Sequence, residues 1–332
     1  VMSYLALKLT HYGPPESSLK LVECKEETPG LEEAVIHVDA VGMHIADSLT
    51  AKGTEKLKEA PCIPGFEGVG TVKSLGSEVK ELKEGDKVLL PMGTGAMTQQ
   101  IKLPVSSLTR VPEPYAPDEQ LALITVNGFT AYFLLRDYLR LNEGDWIIQN
   151  AANSNVGRYL IALAKEKGIK TLNIVRRESL ISELIALGAT EVILDSQHEN
   201  EKTIEDIRSK NIKLGIDAVA GPATEQLAKS IADGGLIVNY GTVTKEMCHI
   251  SFWSLFRKKI TLRGMSTLNG FETRTDERVK EIHQSLAVMA NHSLLQTKIA
   301  ATYGIEDYLK AYSHIDRTGT ERDGKVVLLP NN

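Results

Sequence analysis

The apolar residues follow two different periods along the chain. From the N-terminus to about residue 110 they come in short runs, at 3–9, 34–41, 68–75, 87–90 and 99–103. Turn-forming groups separate these runs: Gly13-Pro14-Pro15, Pro29-Gly30, Gly76, Glu84-Gly85-Asp86 and Gly93-Thr94-Gly95. Short runs bounded by Gly, Pro and Asp predict β-strands. From Asp118 onward the period lengthens. Residues 119–125 and 128–140 read as helix, with a break at Asn127-Gly128. Strands at 146–149, 171–175, 191–194, 215–219, 235–240 and 259–263 then alternate with helices, among them 180–187 and 223–231. A long amphipathic helix follows at 275–291, with Val279, Ile282, Leu286 and Met289 on one stripe. Alternating strands and helices predict a doubly wound, mostly parallel sheet. The tail reads as a helix at 305–314 and an apolar strand at 324–329. A lone terminal strand needs a partner, and the N-terminal β-rich part is a candidate to supply it.

The alternation is sharpest at residues 145–177. A strand, a turn of small residues, an apolar-striped helix ending at Gly168 and a second strand make one βαβ unit of about thirty residues, the unit that binds dinucleotides. The glycine fingerprint G-x-G-x-x-G falls on Ala152-Asn153-Ser154-Asn155-Val156-Gly157, which keeps the third glycine alone. Backbone N–H groups at a helix N-terminus must approach a pyrophosphate here. Ala152 and Ser154 are small enough to allow that, and Asn153 and Ser154 can add side-chain hydrogen bonds. A capped helix start without a ligand is the plain alternative. After the second strand an NAD site places an acidic residue on the ribose 2′-hydroxyl. Arg176 and Arg177 stand there instead, and their forked guanidiniums suit a 2′-phosphate. The expected cofactor is therefore NADPH.

Composition narrows the rest. A chain of 332 residues with 42% hydrophobic and 24% charged content fits one large or two ordinary globular domains. Its net charge of −5, with no basic face interleaved with aromatics, argues against a nucleic-acid partner. Cys24, Cys62 and Cys248 lie far apart and form neither a disulfide framework nor a C-x-x-C pair, which points to a reducing compartment and a cytoplasmic location. No apolar run is long enough to span a bilayer, so no membrane partner is expected.

Several strings in this order carry a resemblance. Residues 63–70, IPGFEGVG, Glu84-Gly85-Asp86-Lys87-Val88 and Asn127-Gly128-Phe129-Thr130-Ala131 resemble segments of the medium-chain dehydrogenase/reductase superfamily. The loop 149–157, Val175-Arg176-Arg177 and the end at 324–328 resemble its zinc-independent quinone oxidoreductase and mitochondrial-type 2-enoyl thioester reductase branch. The resemblance covers nearly the whole chain. It implies a GroES-like β-rich domain at 1–118, completed by 297–332, and a Rossmann NADPH-binding domain at 119–296.

The resemblance also bears on chemistry. The family's zinc-ligand positions match His44, Phe66 and Asn127; Phe66 cannot ligate and Asn127 is a poor ligand, so no metal is expected. By resemblance Asn127 contacts the nicotinamide end of the cofactor, Tyr240, Gly241 and Thr242 lie along its ribose, and Lys325 reaches it. Asn127 suits a helix N-cap as well. Asn127 and His44 are the candidate catalytic residues. The thioester reductases carry a tyrosine donor where this chain has Glu55, which favours direct hydride transfer to a quinone or another α,β-unsaturated carbonyl. The alternatives are a trans-2-enoyl thioester reductase, with Tyr4, Tyr12 or water as a substitute donor, and a low-activity NADPH-binding redox sensor. Residues 258–264 read as an edge strand and predict a homodimer.

Overall fold

A computed structural model describes residues 2–332. The short N-terminal runs fold as strands that bury consecutive apolar residues, such as Ala34, Val35 and Ile36 on one of them, between turn-forming groups. They are β1 (Ser3–Leu9), β2 (Leu19–Lys25), β3 (Glu33–Met43), β4 (Glu67–Leu75), β5 (Lys87–Leu89), β6 (Gln100–Pro104) and β7 (Thr109–Arg110). The alternating region supplies β8 (Trp146–Gln149), β9 (Lys170–Val175), β10 (Glu191–Leu194), β11 (Leu214–Asp217), β12 (Leu236–Asn239) and β13 (Thr261–Gly264), and the tail supplies β14 (Ile299–Gly304) and β15 (Lys325–Leu329).

Two compact units result, Val1–Phe129 with Thr275–Asn332, and Thr130–Arg274. In the first, a seven-stranded sheet runs β14-β15-β3-β4-β5-β7, with β6 on β3, and β1 and β2 form a separate antiparallel pair. The terminal strand finds its partner as expected: β15 pairs antiparallel with β3, Val326 opposite Met43. Its other edge is taken by β14, in parallel. Ile36, Val38, Met97 and Tyr312 sit in the core of this unit, each apolar side chain contributing roughly 1.5–3 kcal/mol on full burial.

The second unit is a six-stranded sheet in the order β10-β9-β8-β11-β12-β13, every pairing parallel. The chain winds outward from β8 to β10 and then from β11 to β13. The strand order reverses between β8 and β11, and ligands of such sheets bind outside the strands' C-terminal ends at that reversal. Ile148, Leu172, Leu227 and Ile237 fill one face.

The structure and the sequence pattern differ in three respects. The division falls at Phe129/Thr130 and Arg274/Thr275, where the sequence reading placed it at 118/119 and 296/297. The helix Asp276–Asn291 packs its Leu286 close to Gly128 and its His283 on Thr125, and so sits with the first unit. The expected break at Asn127-Gly128 is absent. A helix Asp118–Leu121 is followed by a π-helical turn, Ile124–Gly128, that continues directly into the helix Phe129–Arg136. Finally, β2, β14 and the helix Ile45–Lys52 were not legible in the periodicity. Among the described residues no helix is long and apolar enough to cross a membrane.

Candidate active site

The second unit carries the loop that the sequence pattern nominates for a dinucleotide. β8 ends at Gln149, and the helix Asn155–Glu166 begins after Ser154, whose hydroxyl oxygen accepts the Gly157 N–H at 3.1 Å. The N–H groups of Asn155 and Val156 lie in the first turn, where no intrahelical acceptor exists. Ala152 is fully buried and Asn153 half-buried. Both amide atoms of Asn155, which is 9% exposed, are buried without a hydrogen-bond partner. Buried polar atoms are seldom left unpaired, and an unpaired amide at a helix N-terminus fits a polar ligand. The loop is braced from behind. Gln149 donates to the Gly157 carbonyl at 3.0 Å, and Arg158 donates to the Asn153 carbonyl at 2.9 Å and to Glu183 at 3.2 Å.

Sequence reasoning missed the hub of this unit. Asp217, fully buried at the end of β11, accepts hydrogen bonds from Asn150 (2.8 Å), Thr224 (2.6 Å), Asn239 (3.0 Å) and the N–H groups of Val219 and Ala220 (3.0 and 3.1 Å). It ties the C-terminal ends of β8, β11 and β12 together. An acidic residue closing the apolar run LGID was the available signal.

The segment after β12 holds the remaining residues of this unit. The Tyr240 hydroxyl is buried without a well-formed hydrogen bond, and burial pushes its pKa up to about 12. Gly241 lies close to the Ala218 carbonyl, 3.1 Å from where a Cβ would stand, and Thr242 is exposed. Arg176 is exposed and Arg177 half-buried just past β9, and among the described residues neither has an ion-pair partner.

The first unit places His44, Asn127 and Lys325 around one buried carboxylate. His44 caps the helix Ile45–Lys52 through its backbone, its N–H donating to Asp47 at 2.8 Å. Its Nε2 is hydrogen-bonded to Glu67, which is fully buried on β4. The other ring nitrogen, Nδ1, lies 3.1 Å from Lys325 Nζ. The second Glu67 oxygen accepts from Thr125 Oγ1 at 2.8 Å and from the Val126 N–H at 3.0 Å. Glu67 therefore holds both the imidazole and the π-helical turn that presents Asn127. That residue is half-buried, with no side-chain hydrogen bond among the described residues, and does not act as an N-cap.

The electrostatics of this cluster are consistent. Burial, and then the nearby Lys325 ammonium, lower the His44 pKa and favour the neutral ring. An ammonium can only donate, so Nδ1 is the acceptor and Nε2 carries the hydrogen given to Glu67. Burial alone would raise Glu67, but His44, Thr125 and the Val126 N–H outweigh it and hold the carboxylate below its usual range. Burial lowers Lys325 to about 8 and raises Asp47 to about 7. The resemblance implied a cofactor contact for Lys325; its hydrogen-bond partner here is His44.

The substitute tyrosines do not offer a free hydroxyl at this cluster. Tyr12 donates to the Lys58 carbonyl at 3.0 Å and accepts from the Ala60 N–H at 3.2 Å, which makes it a clasp for the loop. Tyr4 lies on β1 opposite Cys24 in the separate two-stranded pair. Glu55 is exposed, its N–H bonded to the Leu49 carbonyl.

A GroES-like β-domain followed by a doubly wound sheet with this loop defines the class of medium-chain dehydrogenases/reductases. Residues 30–113 match the family of alcohol dehydrogenase GroES-like domains, and residues 155–286 match that of zinc-binding dehydrogenases. The chain is 33% identical over 293 residues to the mitochondrial enoyl-[acyl-carrier-protein] reductase of Dictyostelium discoideum, covering 85% of this chain and 83% of that one. Its fold matches a mutant enoyl thioester reductase from Candida tropicalis (TM-score 0.87, 21% identity, 99% and 100% of the two chains). It also matches the Escherichia coli quinone oxidoreductase complexed with NADPH (TM-score 0.79, 22% identity, 98% and 100%). The chain belongs to the enoyl thioester reductase and quinone oxidoreductase branch of the medium-chain dehydrogenases/reductases, a branch of oxidoreductases.

Proposed function

We propose that the chain reduces the carbon–carbon double bond of a 2-enoyl thioester, with NADPH as the electron donor and without zinc. One observation carries the cofactor: the buried, unpartnered Asn155 amide at the start of a helix whose first N–H groups are also open. Around it, Ala152, Asn153, Ser154, Val156 and Gly157 would form the pyrophosphate cradle. Arg176 and Arg177 would pair with the 2′-phosphate, and Tyr240, Gly241 and Thr242 would border the ribose. NADPH supplies a hydride when bound. The chain's own part is to orient the acceptor and provide a proton, and Asn127, next in the chain to the two residues bonded to Glu67, is the proposed contact for the nicotinamide end.

The thioester acceptor rests on the enoyl reductases to which this chain is related. Relatedness thus moves forward the reading that the sequence alone put second. A quinone remains the second reading, favoured by Glu55 standing where the branch places tyrosine. The zinc-free assignment draws on His44, whose two ring nitrogens are taken by Glu67 and by an ammonium that would repel a cation. The same relatives are named as mitochondrial, and that compartment is proposed here in place of the cytoplasm. A homodimer through β13, the exposed edge of its sheet, is proposed as well; a monomer mass at micromolar concentration would remove it.

The test is NADPH oxidation by chelator-treated protein, with crotonyl-CoA, 1,4-benzoquinone and 9,10-phenanthrenequinone side by side and NADH as control. Turnover of crotonyl-CoA is expected. Quinone turnover without it would put the second reading first.

A further inference from the structure

We propose that a cavity beside the helix Ile45–Lys52 is a site for one water molecule, which bridges Asp47 to Thr50 and completes the carboxylate that accepts the His44 N–H. The cavity has about 10 Å³, the room of a single water, and is lined by Asp47, Thr50, Lys58, Cys62 and Tyr312 among apolar residues. All of these belong to the first unit. Asp47 and Thr50 are one turn apart on the helix, so their side chains share a face. They are 2% and 4% exposed. Asp47 Oδ2 accepts the His44 N–H at 2.8 Å, but Asp47 Oδ1 and Thr50 Oγ1 are buried with no hydrogen-bond partner. A buried carboxylate oxygen and a buried hydroxyl are seldom left in that state, and together they give a water the two polar partners it needs.

The surrounding charges select a neutral ligand. The Lys58 ammonium on the cavity wall disfavours a cation, and the Asp47 carboxylate disfavours an anion. Lys58 donates to the Ile63 carbonyl at 2.7 Å, and Tyr312 donates to Met97 Sδ at 3.5 Å. Water both donates and accepts, so it can donate to Asp47 Oδ1 and share a hydrogen bond with Thr50 Oγ1. Burial raises Asp47 to about 7; Glu67 adds to the rise, and the His44 N–H, Lys325 and Lys58 oppose it. Tyr312 and Cys62, the other titratable groups on the cavity, are both pushed up by burial and stay neutral at that pH. A donor on Oδ1 favours the ionised form, so the water should bring Asp47 below 7. The ionised carboxylate is the stronger acceptor for the His44 N–H. The water thereby steadies the backbone of the residue whose ring is bonded to Glu67, which makes Asp47 and Thr50 positioning residues.

The experiment has two arms. A high-resolution crystal structure of the wild type should show a water within about 3.2 Å of both Asp47 Oδ1 and Thr50 Oγ1. Carboxyl-carbon NMR then follows the titration midpoint of Asp47 in wild type, Thr50→Val and Thr50→Ser, with Asp47→Asn identifying the signal. Thr50→Val keeps the size of the side chain and removes the hydroxyl. The midpoint is expected below 7 in wild type. It should rise by about one pH unit in Thr50→Val and stay within about 0.3 of wild type in Thr50→Ser. A wild-type structure with no water at that place overturns the site, and a cation or an anion there overturns the choice of ligand. A bound water with equal midpoints in wild type and Thr50→Val overturns its hold on the carboxylate. Neither arm depends on which acceptor the protein reduces.

Discussion

Gly157 lies against the Ala152 backbone so closely that a Cβ on Gly157 would stand 2.4 Å from the Ala152 carbonyl oxygen. The loop can cross the start of its helix at this distance because no side chain intervenes. Gly157→Ala is therefore expected to push the loop off the helix and destabilise the fold by roughly 1–3 kcal/mol, as overpacking does. NADPH binding should weaken with it. Urea unfolding and a fluorescence titration check both, and unchanged values would mean that the helix shifts at little cost.

Asn155 separates binding from folding. Its amide is buried with no partner, so Asn155→Ala removes no hydrogen bond from the protein and should leave the melting temperature unchanged or slightly higher. The NADPH dissociation constant should rise about tenfold, the worth of a hydrogen bond to a charged group. A fall in stability without a change in affinity would assign Asn155 to the fold instead.

Arg176 and Arg177 decide between the two nicotinamide cofactors. The double substitution to alanine is expected to raise the NADPH dissociation constant by about 10- to 100-fold and to leave that for NADH within about twofold. Equal losses for both cofactors would mean that the guanidiniums do not read the 2′-phosphate.

Glu67→Gln weakens the acceptor of three donors at once: the His44 imidazole, the Thr125 hydroxyl and the Val126 N–H. Breaking a buried hydrogen-bonded charge should cost roughly 2–4 kcal/mol. Turnover should fall further than NADPH affinity, because the loop proposed for the cofactor lies in the other unit. Full activity in Glu67→Gln would show that the carboxylate only supports the fold.

Two buried histidines should each cost the protein stability in acid, while Asp47, raised by burial to about 7, takes up its proton more readily in the folded chain and opposes them. Burial lowers His198 and His283 from 6.5 to about 4. Between these values the unfolded chain binds protons that the folded chain does not. The contribution of each histidine therefore falls by roughly 2–3 kcal/mol as pH drops from about 6.5 to about 4, and that of Asp47 rises over the same range. Urea unfolding at pH 7 and pH 4.5 measures it, and His198→Phe should make acid less destabilising than it is for the wild type. A difference that His198→Phe leaves intact would locate the acid sensitivity elsewhere.

Apolar periodicity was enough to give the doubly wound sheet, most of its strand positions and the strand–loop–helix around residues 146–166. These rest on local causes. Apolar periodicity selects strand or helix, small residues at 152–157 admit a backbone-lined cradle, and a helix N-terminus leaves its first N–H groups open. Tertiary structure alone decided the Glu67 cluster and the Asp217 hub. His44, Glu67, Thr125 and Lys325 are far apart in the chain and meet because β3 pairs with β4 on one side and β15 on the other. That pairing gave Lys325 an imidazole as its partner, and the Glu67 hydrogen bonds replaced an expected helix break with a continuous turn. A buried carboxylate draws donors from whatever strands the fold sets beside it, and no local pattern records which those will be.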